Sequence, residues 1–207
     1  MSTETIKQKF YGWRMIVGAN LVDFFSAGLA FYAYAVFFGF IQEEFSASRF
    51  LVSLTVSMTI LAAGIYSPLL GYILDKFPIK KVLTIGALIF GFGFILLSIT
   101  QTFFQFLLVY GAVIALGMVI FGNLSTSKLI ANWFNDKIGT ALGYASIGLS
   151  FSGVIIPPIA VFLISSFTWR GAYLIFGSFV LIICSISAYK FFIDKPVDVG
   201  QFPDGIE

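Results

Sequence analysis

"GYILDKFPIKK", residues 71–81, places four charged side chains, Asp75, Lys76, Lys80 and Lys81, in a chain whose charged fraction is only 11%. Apolar runs stand directly on both sides of it. The surrounding chain is 59% hydrophobic and 18% aromatic, with 26 Phe among 207 residues. A soluble domain averages about half apolar and about a quarter charged, so a departure in both directions at once is a membrane signature. The charged stretch then reads as a loop at the membrane surface.

Six apolar segments flank this loop and the other short connections, at approximately 15–41, 50–74, 82–100, 103–130, 139–165 and 171–193. Each has roughly the ~20 residues that carry a helix across a ~30 Å hydrocarbon core. None alternates polar and apolar residues as a membrane barrel strand does. The fold class expected is therefore all-α, six transmembrane helices running up and down through short links. Residues 1–14 form a polar N-terminal segment, 15–193 the bundle, and 194–207 a polar tail. The leader is too polar, and the segment after it too long, for a cleaved signal peptide.

Lys and Arg placement sets the expected orientation. With the N-terminus inside, ten of the twelve basic residues are cytoplasmic: Lys7, Lys9, Arg14, Lys76, Lys80, Lys81, Lys128, Lys137, Lys190 and Lys195. Only Arg49 and Arg170 fall outside, and both termini are cytoplasmic. The sequence has no His and a single Cys, Cys184, within an apolar run. Disulfides, Cys/His zinc sites and histidine acid–base chemistry are excluded. No cofactor, metal site, enzymatic constellation or nucleic-acid partner is expected; the first partner is the lipid bilayer.

Lysines alone account for an anchor against anionic lipid, but not for Asp75. A carboxylate at the C-terminal end of a helix sits at the negative pole of the dipole. Either it pairs loosely with Lys76 or Lys80 at the surface, or a basic residue or helix N-terminus elsewhere holds it. The pattern Gly71-x-x-x-Asp75-Lys76-x-x-x-Lys80-Lys81 resembles the loop between the second and third helices of the major facilitator superfamily, with Pro78 where glycine is usual. "YGWR" at 11–14, "NWF" and "GTALG" within 132–143, Pro157-Pro158, Trp169-Arg170 and the tail "KPVDVGQFPDG" resemble the monocarboxylate and oxalate–formate branch of that superfamily.

That resemblance implies the N-terminal half of a twelve-helix secondary transporter, a half-bundle of two inverted three-helix repeats. It implies alternating access, by symport or antiport, in the cell (inner) membrane, on a small organic solute such as a mono- or dicarboxylate. The missing C-terminal half, or a second copy of the chain, would be the protein partner. It also makes residues 71–81 a gating loop, with Asp75 and its lysines latching onto the complementary half. The alternatives are a non-transporting, partner-binding membrane protein or a channel; no ring of like charges marks the latter.

Two further patterns bear on function. Gly139, Gly143, Ser146, Ser150, Gly153 and Pro157, next to Pro158, recur at steps of three and four and form one stripe of small residues. Small residues let helices approach closely in lipid, so the stripe is expected to pack within the bundle, part of it sliding during alternation. A weaker stripe, Ser53, Ser57, Gly64, Ser67 and Gly71, leads to the charged loop. Asp23 is the carboxylate deep in a span, roughly 13 Å beyond Arg14 by the helical rise. Intramembrane carboxylates are costly and face water or a partner. Asn20, Asp23 and Tyr34 on one helical face, with Tyr110 and Asn123 from the fourth segment, are the expected substrate cavity. Lys128 is expected to snorkel to the cytoplasmic surface. Tyr110 stands where many superfamily members carry an arginine.

Overall fold

The computed structural model describes residues 10–205. Lys7 and Lys9, counted in the charge asymmetry, lie outside the described residues, as does most of the 1–14 segment. Helices α1 (Gly12–Glu44), α2 (Arg49–Lys76), α3 (Ile79–Ser98), α4 (Phe103–Trp133) and α5 (Ile138–Phe191) are each long and apolar enough to cross a membrane. No strand occurs among the described residues. The expected segments 139–165 and 171–193 both fall within the 54 residues of α5, interrupted by non-helical backbone at Thr168 (φ 66°, ψ 167°).

Local chemistry sets the boundaries. Ser48 caps α2, its side chain accepting from the Leu51 N–H at 3.3 Å. Pro78 forces Phe77 into extended backbone and ends α2, because the residue before proline is sterically barred from the helical region. Thr102 and Gln105 form a reciprocal capping box at the start of α4. Helices α1, α4 and α5 each contain one π-helical stretch, at Gly28–Tyr32, Val109–Ile114 and Val180–Cys184. Helix α4 is broken outright: it stops at Ile120, passes through non-helical Phe121 and Gly122, and restarts at Asn123.

Glycines decide how closely the helices approach. A Cβ placed on Gly86 of α3 would lie 2.6 Å from the Phe121 backbone nitrogen, and one on Gly117 of α4 would lie 2.6 Å from Phe90 Cα. Gly91 and Gly177 do the same between α3 and the later arm of α5, and Gly148 presses on the Asn20 carbonyl of α1. Phe37, Tyr173 and Phe94 stack in the core, with ring centroids 4.0 Å apart for the first pair. Helix α3 is the most enclosed, with 56% of its apolar window buried, and α2 the least, with 17%.

Only part of the small-residue stripe of α5 lies against the bundle. Gly148, Ser152, Ile156, Ala160 and Ile164 are the buried face of this arm. Gly139, Gly143, Ser146, Ser150 and Pro158 are exposed, and Gly153 and Pro157 are half-buried. Nothing lies within 4 Å of a Cβ on Gly139 or Gly143, nor on Gly64 or Gly71 of α2. The inward face is set by the α1 backbone that Gly148 touches, which leaves Gly139 and Gly143 open while a Cβ on Gly153 would lie 3.0 Å from the Tyr32 ring of α1.

Two ends of the bundle are distinct. At one, Arg170 donates to Glu44 at 2.6 Å and to the Thr100 carbonyl at 2.8 Å, tying together the turn after α1, the turn after α3 and the break in α5. At the other, rich in lysine, the tail is docked. Asp194 accepts from the Lys80 N–H at 2.8 Å, and Trp133 Nε1 donates to the Ile193 carbonyl at 2.9 Å. The Tyr11 N–H donates to Gln201 at 2.9 Å. Asp204 accepts from the N–H groups of Asn135, Asp136 and Lys137 at 2.9, 2.9 and 3.4 Å. The segment expected to start a loop is thus a strap across the starts of α1, α3 and α5.

Candidate transport cavity

Asp23 on α1 is 1% exposed. It faces the break in α4, and the residues just after the break supply its hydrogen bonds. Asn123 Nδ2 donates to one carboxylate oxygen at 3.3 Å, and Thr126 Oγ1 lies 3.1 and 3.3 Å from the two. The restarted helix Asn123–Trp133 presents its N-terminal end here, so its dipole adds a fractional positive charge. Just before the break, the Met118 carbonyl accepts from Ser26 Oγ at 3.4 Å. The break gathers backbone and side-chain polar groups at a depth where lipid-facing backbone cannot stay unpaired.

Beside these groups lies a cavity of about 200 Å3, lined by Asp23, Ser26, Phe31, Ser67, Asn123 and Leu149 among others. Four helices contribute to it, and Ser67 belongs to the outward stripe of α2. A larger hollow of about 500 Å3, between Phe10, Trp13, Arg14 and Gln201, is an aromatic groove under the strap.

Of the five residues expected to line a substrate cavity, the structure brings Asp23 and Asn123 together there. Asn20 is spent on packing: its Oδ1 accepts from the Gly148 N–H at 2.6 Å, and its Nδ2 donates to the Tyr144 carbonyl at 2.8 Å. The Tyr34 hydroxyl donates to the Val52 carbonyl at 2.8 Å and that of Tyr110 to the Ala30 carbonyl at 2.7 Å, their rings 4.8 Å apart in the core. Ser26 and the break itself were not singled out from the sequence, and Ser67 only as a member of the α2 stripe, not as a cavity residue. The run Gly122-Asn-Leu-Ser-Thr-Ser, polar within an apolar span, was the available signal.

The charged loop also finds its geometry. Asp75 Oδ1 pairs with Lys128 Nζ of α4 at 2.8 Å, both side chains well exposed. Lys76 turns instead over the Tyr72 ring, and Lys80 lies above Tyr189. Asp75 is thus held by a basic residue of another helix, not by its loop neighbours, and Lys128 does reach the surface. Deeper in the strap, partial burial works to raise the Asp204 carboxyl. The three backbone N–H groups and Lys137 outweigh it and hold the group below the usual carboxylate range. Among the described residues no cluster of His, Cys, Asp and Glu forms a metal site.

A family model described as the Major Facilitator Superfamily matches residues 24–205, beginning one residue after Asp23. Monocarboxylate transporter 12 of Rattus norvegicus is 25% identical over 201 residues, covering 95% of this chain and 39% of that protein. Monocarboxylate transporter 4 of Mus musculus is 27% identical over 202 residues, covering 95% and 41%. The Uncharacterized MFS-type transporter YcxA of Bacillus subtilis (strain 168) is 26% identical over 135 residues, covering 65% and 33%. The chain spans less than half the length of the curated relatives it matches.

Proposed function

The chain belongs to the Major Facilitator Superfamily, a family of integral membrane transporters rather than enzymes, and we propose that it forms one half of a secondary transporter for a small organic anion. The observation that carries this is the largely apolar cavity at the break of α4 into which Asp23, Ser26, Ser67 and Asn123 converge, seated between two helices, α2 and α5, that each carry open glycines. At about 200 Å3 the cavity is smaller than the ~300–1,000 Å3 of ordinary ligand sites. A second bundle laid on the faces of Gly64, Gly71, Gly139 and Gly143 would complete it. That bundle is a further stretch of a longer chain or a second copy of this one.

The six-span reading rests on length and on the ends. An unbroken 54-residue helix would extend ~81 Å, more than twice a ~30 Å core. Thr168 lies beside Arg170, which contacts Glu44 and Thr100, while the residues after Phe191 return to the lysine-rich end. We therefore read Thr168 as the turn between a fifth and a sixth span, giving two three-helix repeats of inverted topology. The basic residues put the lysine-rich end, with both termini, in the cytoplasm. Gly71, Asp75, Lys76, Lys80 and Lys81 then form a cytoplasmic gate, with Gly71 open towards the second bundle. A carboxylate substrate follows from the names of the relatives, and alternating access from the need for two bodies to rock about one site.

Flux of radiolabelled monocarboxylates and dicarboxylates into proteoliposomes tests the reading. Saturable uptake is expected when a second bundle is present, and none from a demonstrably monomeric preparation of residues 1–207. Uptake by that monomer would overturn the half-transporter assignment, and failure of every organic anion with the completed protein would overturn the substrate class. Orientation is tested by cysteines at Ser46 and Thr3: an impermeant thiol reagent should label intact cells only at position 46.

A further inference from the structure

Arg14 lies on the face of α1 turned away from Asp23, about 180° round the helix from it. Among the described residues its guanidinium meets only Tyr11: it donates to the hydroxyl at 2.7 Å, and its Cζ is 4.7 Å from the ring centre. Arg14 borders the hollow of about 500 Å3 under the strap, together with Tyr11, Trp13, Val17 and Val199, and no carboxylate lines that hollow. The acids of the strap are turned elsewhere. Asp194 accepts from the Lys80 N–H, Asp198 from the Lys195 N–H, and Asp204 from the N–H groups of residues 135–137. Next along α1 is a second hollow, of about 230 Å3, between that helix and the end of α5. Leu21, Phe25, Phe179, Ile183 and Phe191 are among its walls, and no charged side chain is.

Arg14, Val17, Leu21 and Phe25 follow one another at steps of three and four, so they share one helical face. The two hollows run end to end along it, Val17 bordering the first and Leu21 the second. From Arg14 to Phe25 the helical rise gives ~16.5 Å, close to the ~15 Å that one leaflet of a ~30 Å hydrocarbon core provides. We propose that this face of α1 is a binding site for one anionic phospholipid, its phosphate on Arg14 and an acyl chain in the crevice beside Leu21 and Phe25. A guanidinium fork matches a pair of phosphate oxygens, and Tyr11 and Trp13 are the side chains that favour headgroup depth. A net negative headgroup is preferred over a zwitterionic one, whose ammonium would lie beside Arg14 with no carboxylate in the hollow to receive it. Val199 belongs to the strap, so the lipid would also join the strap to α1. The site faces away from Asp23 and owes nothing to the choice of solute.

The test is titration of purified residues 1–207, in uncharged detergent, with phosphatidylglycerol or phosphatidylcholine of the same acyl chains, bound lipid being counted by native mass spectrometry. One phosphatidylglycerol should be retained about tenfold more tightly than phosphatidylcholine, and Arg14→Gln should abolish that preference. Lys190 is an exposed cation that borders neither hollow, so Lys190→Gln should leave the preference intact. The chain is tested separately. In a Cys184→Ala background, Ile183→Cys places a single thiol in the crevice, where the native isoleucine is half exposed. Phosphatidylglycerol should slow its alkylation by a membrane-permeant maleimide, whereas glycerol phosphate, which has the phosphate but no chain, should not. Equal binding of the two lipids, or a preference lost as fully in Lys190→Gln as in Arg14→Gln, would overturn the proposal. So would phosphatidylglycerol that binds without protecting the thiol, or glycerol phosphate that displaces it at equal concentration.

Discussion

Gly117 and Gly143 are the same residue in helices of the same bundle, and they do opposite things. Gly117 is in contact with Phe90 of α3, and Gly86, Gly91, Gly148 and Gly177 are closed in the same way against neighbouring backbone. Gly143, with Gly139, Gly64 and Gly71, has nothing within 4 Å of where a Cβ would stand. Lipid gives helices no hydrophobic reason to associate, and small residues are what lets them approach closely. The closed set fixes how the helices of this bundle approach one another; on the reading proposed above, the open set is where a second body would meet it.

Substitution should separate the two sets sharply. Gly117→Leu or Gly86→Leu forces a side chain into helix backbone and should cost about 2–3 kcal/mol, read as loss of thermal stability in mild detergent. An unchanged melting curve would mean that α3 and α4 are not packed as described. Gly143→Leu should leave the stability of residues 1–207 within about 1 kcal/mol of the original, since only helix propensity changes. In the completed transporter the same change should lower solute flux about tenfold or more, as overpacking of the mating face. Full flux would show that the open stripe faces lipid.

The strap offers a smaller, pH-dependent contrast between docked and free chain. Because the Asp204 carboxyl is held low in the folded protein, its contribution is fully present above the ordinary carboxylate pKa of ~3.9. It is lost as pH falls through the lowered folded value. Amide exchange at Asn135, Asp136 and Lys137, corrected for its intrinsic pH dependence, should therefore be slow at neutral pH and accelerate under strong acid. Asp204→Ala should show the fast rate at every pH. Equal protection in the variant would free the strap of any role in holding the start of α5.

Asp75→Asn should have the smallest effect on stability, within about 1 kcal/mol, because its pair with Lys128 is exposed. If residues 71–81 gate as proposed, its expected consequence is conformational: the gate loosens, and cysteines placed in the cavity at the lysine-rich end of the completed protein label faster. Unchanged labelling would reduce residues 71–81 to a membrane anchor.

The sequence by itself determined the membrane class, the helical character and most boundaries, since these follow from local properties. Apolar runs of about 20 residues, Pro78 after Phe77 and the Thr102–Gln105 box each act within a few positions. Asp23 and Asn123 were legible because a polar side chain in an apolar span is conspicuous. Only the tertiary structure decided which face of each helix turns inward. In lipid both faces of a helix are apolar, so the hydrophobic asymmetry that marks the buried side of a soluble helix is missing. For this reason Gly148 and Ser152, not Gly139 and Gly143, pack on α1, and Asn20 and Tyr34 spend their polar groups on neighbouring helix backbone rather than on a cavity. The partner of Asp75 was hidden for a related reason: Lys128 is 53 positions away along the chain, and only the packing of α2 beside α4 brings the two charges together.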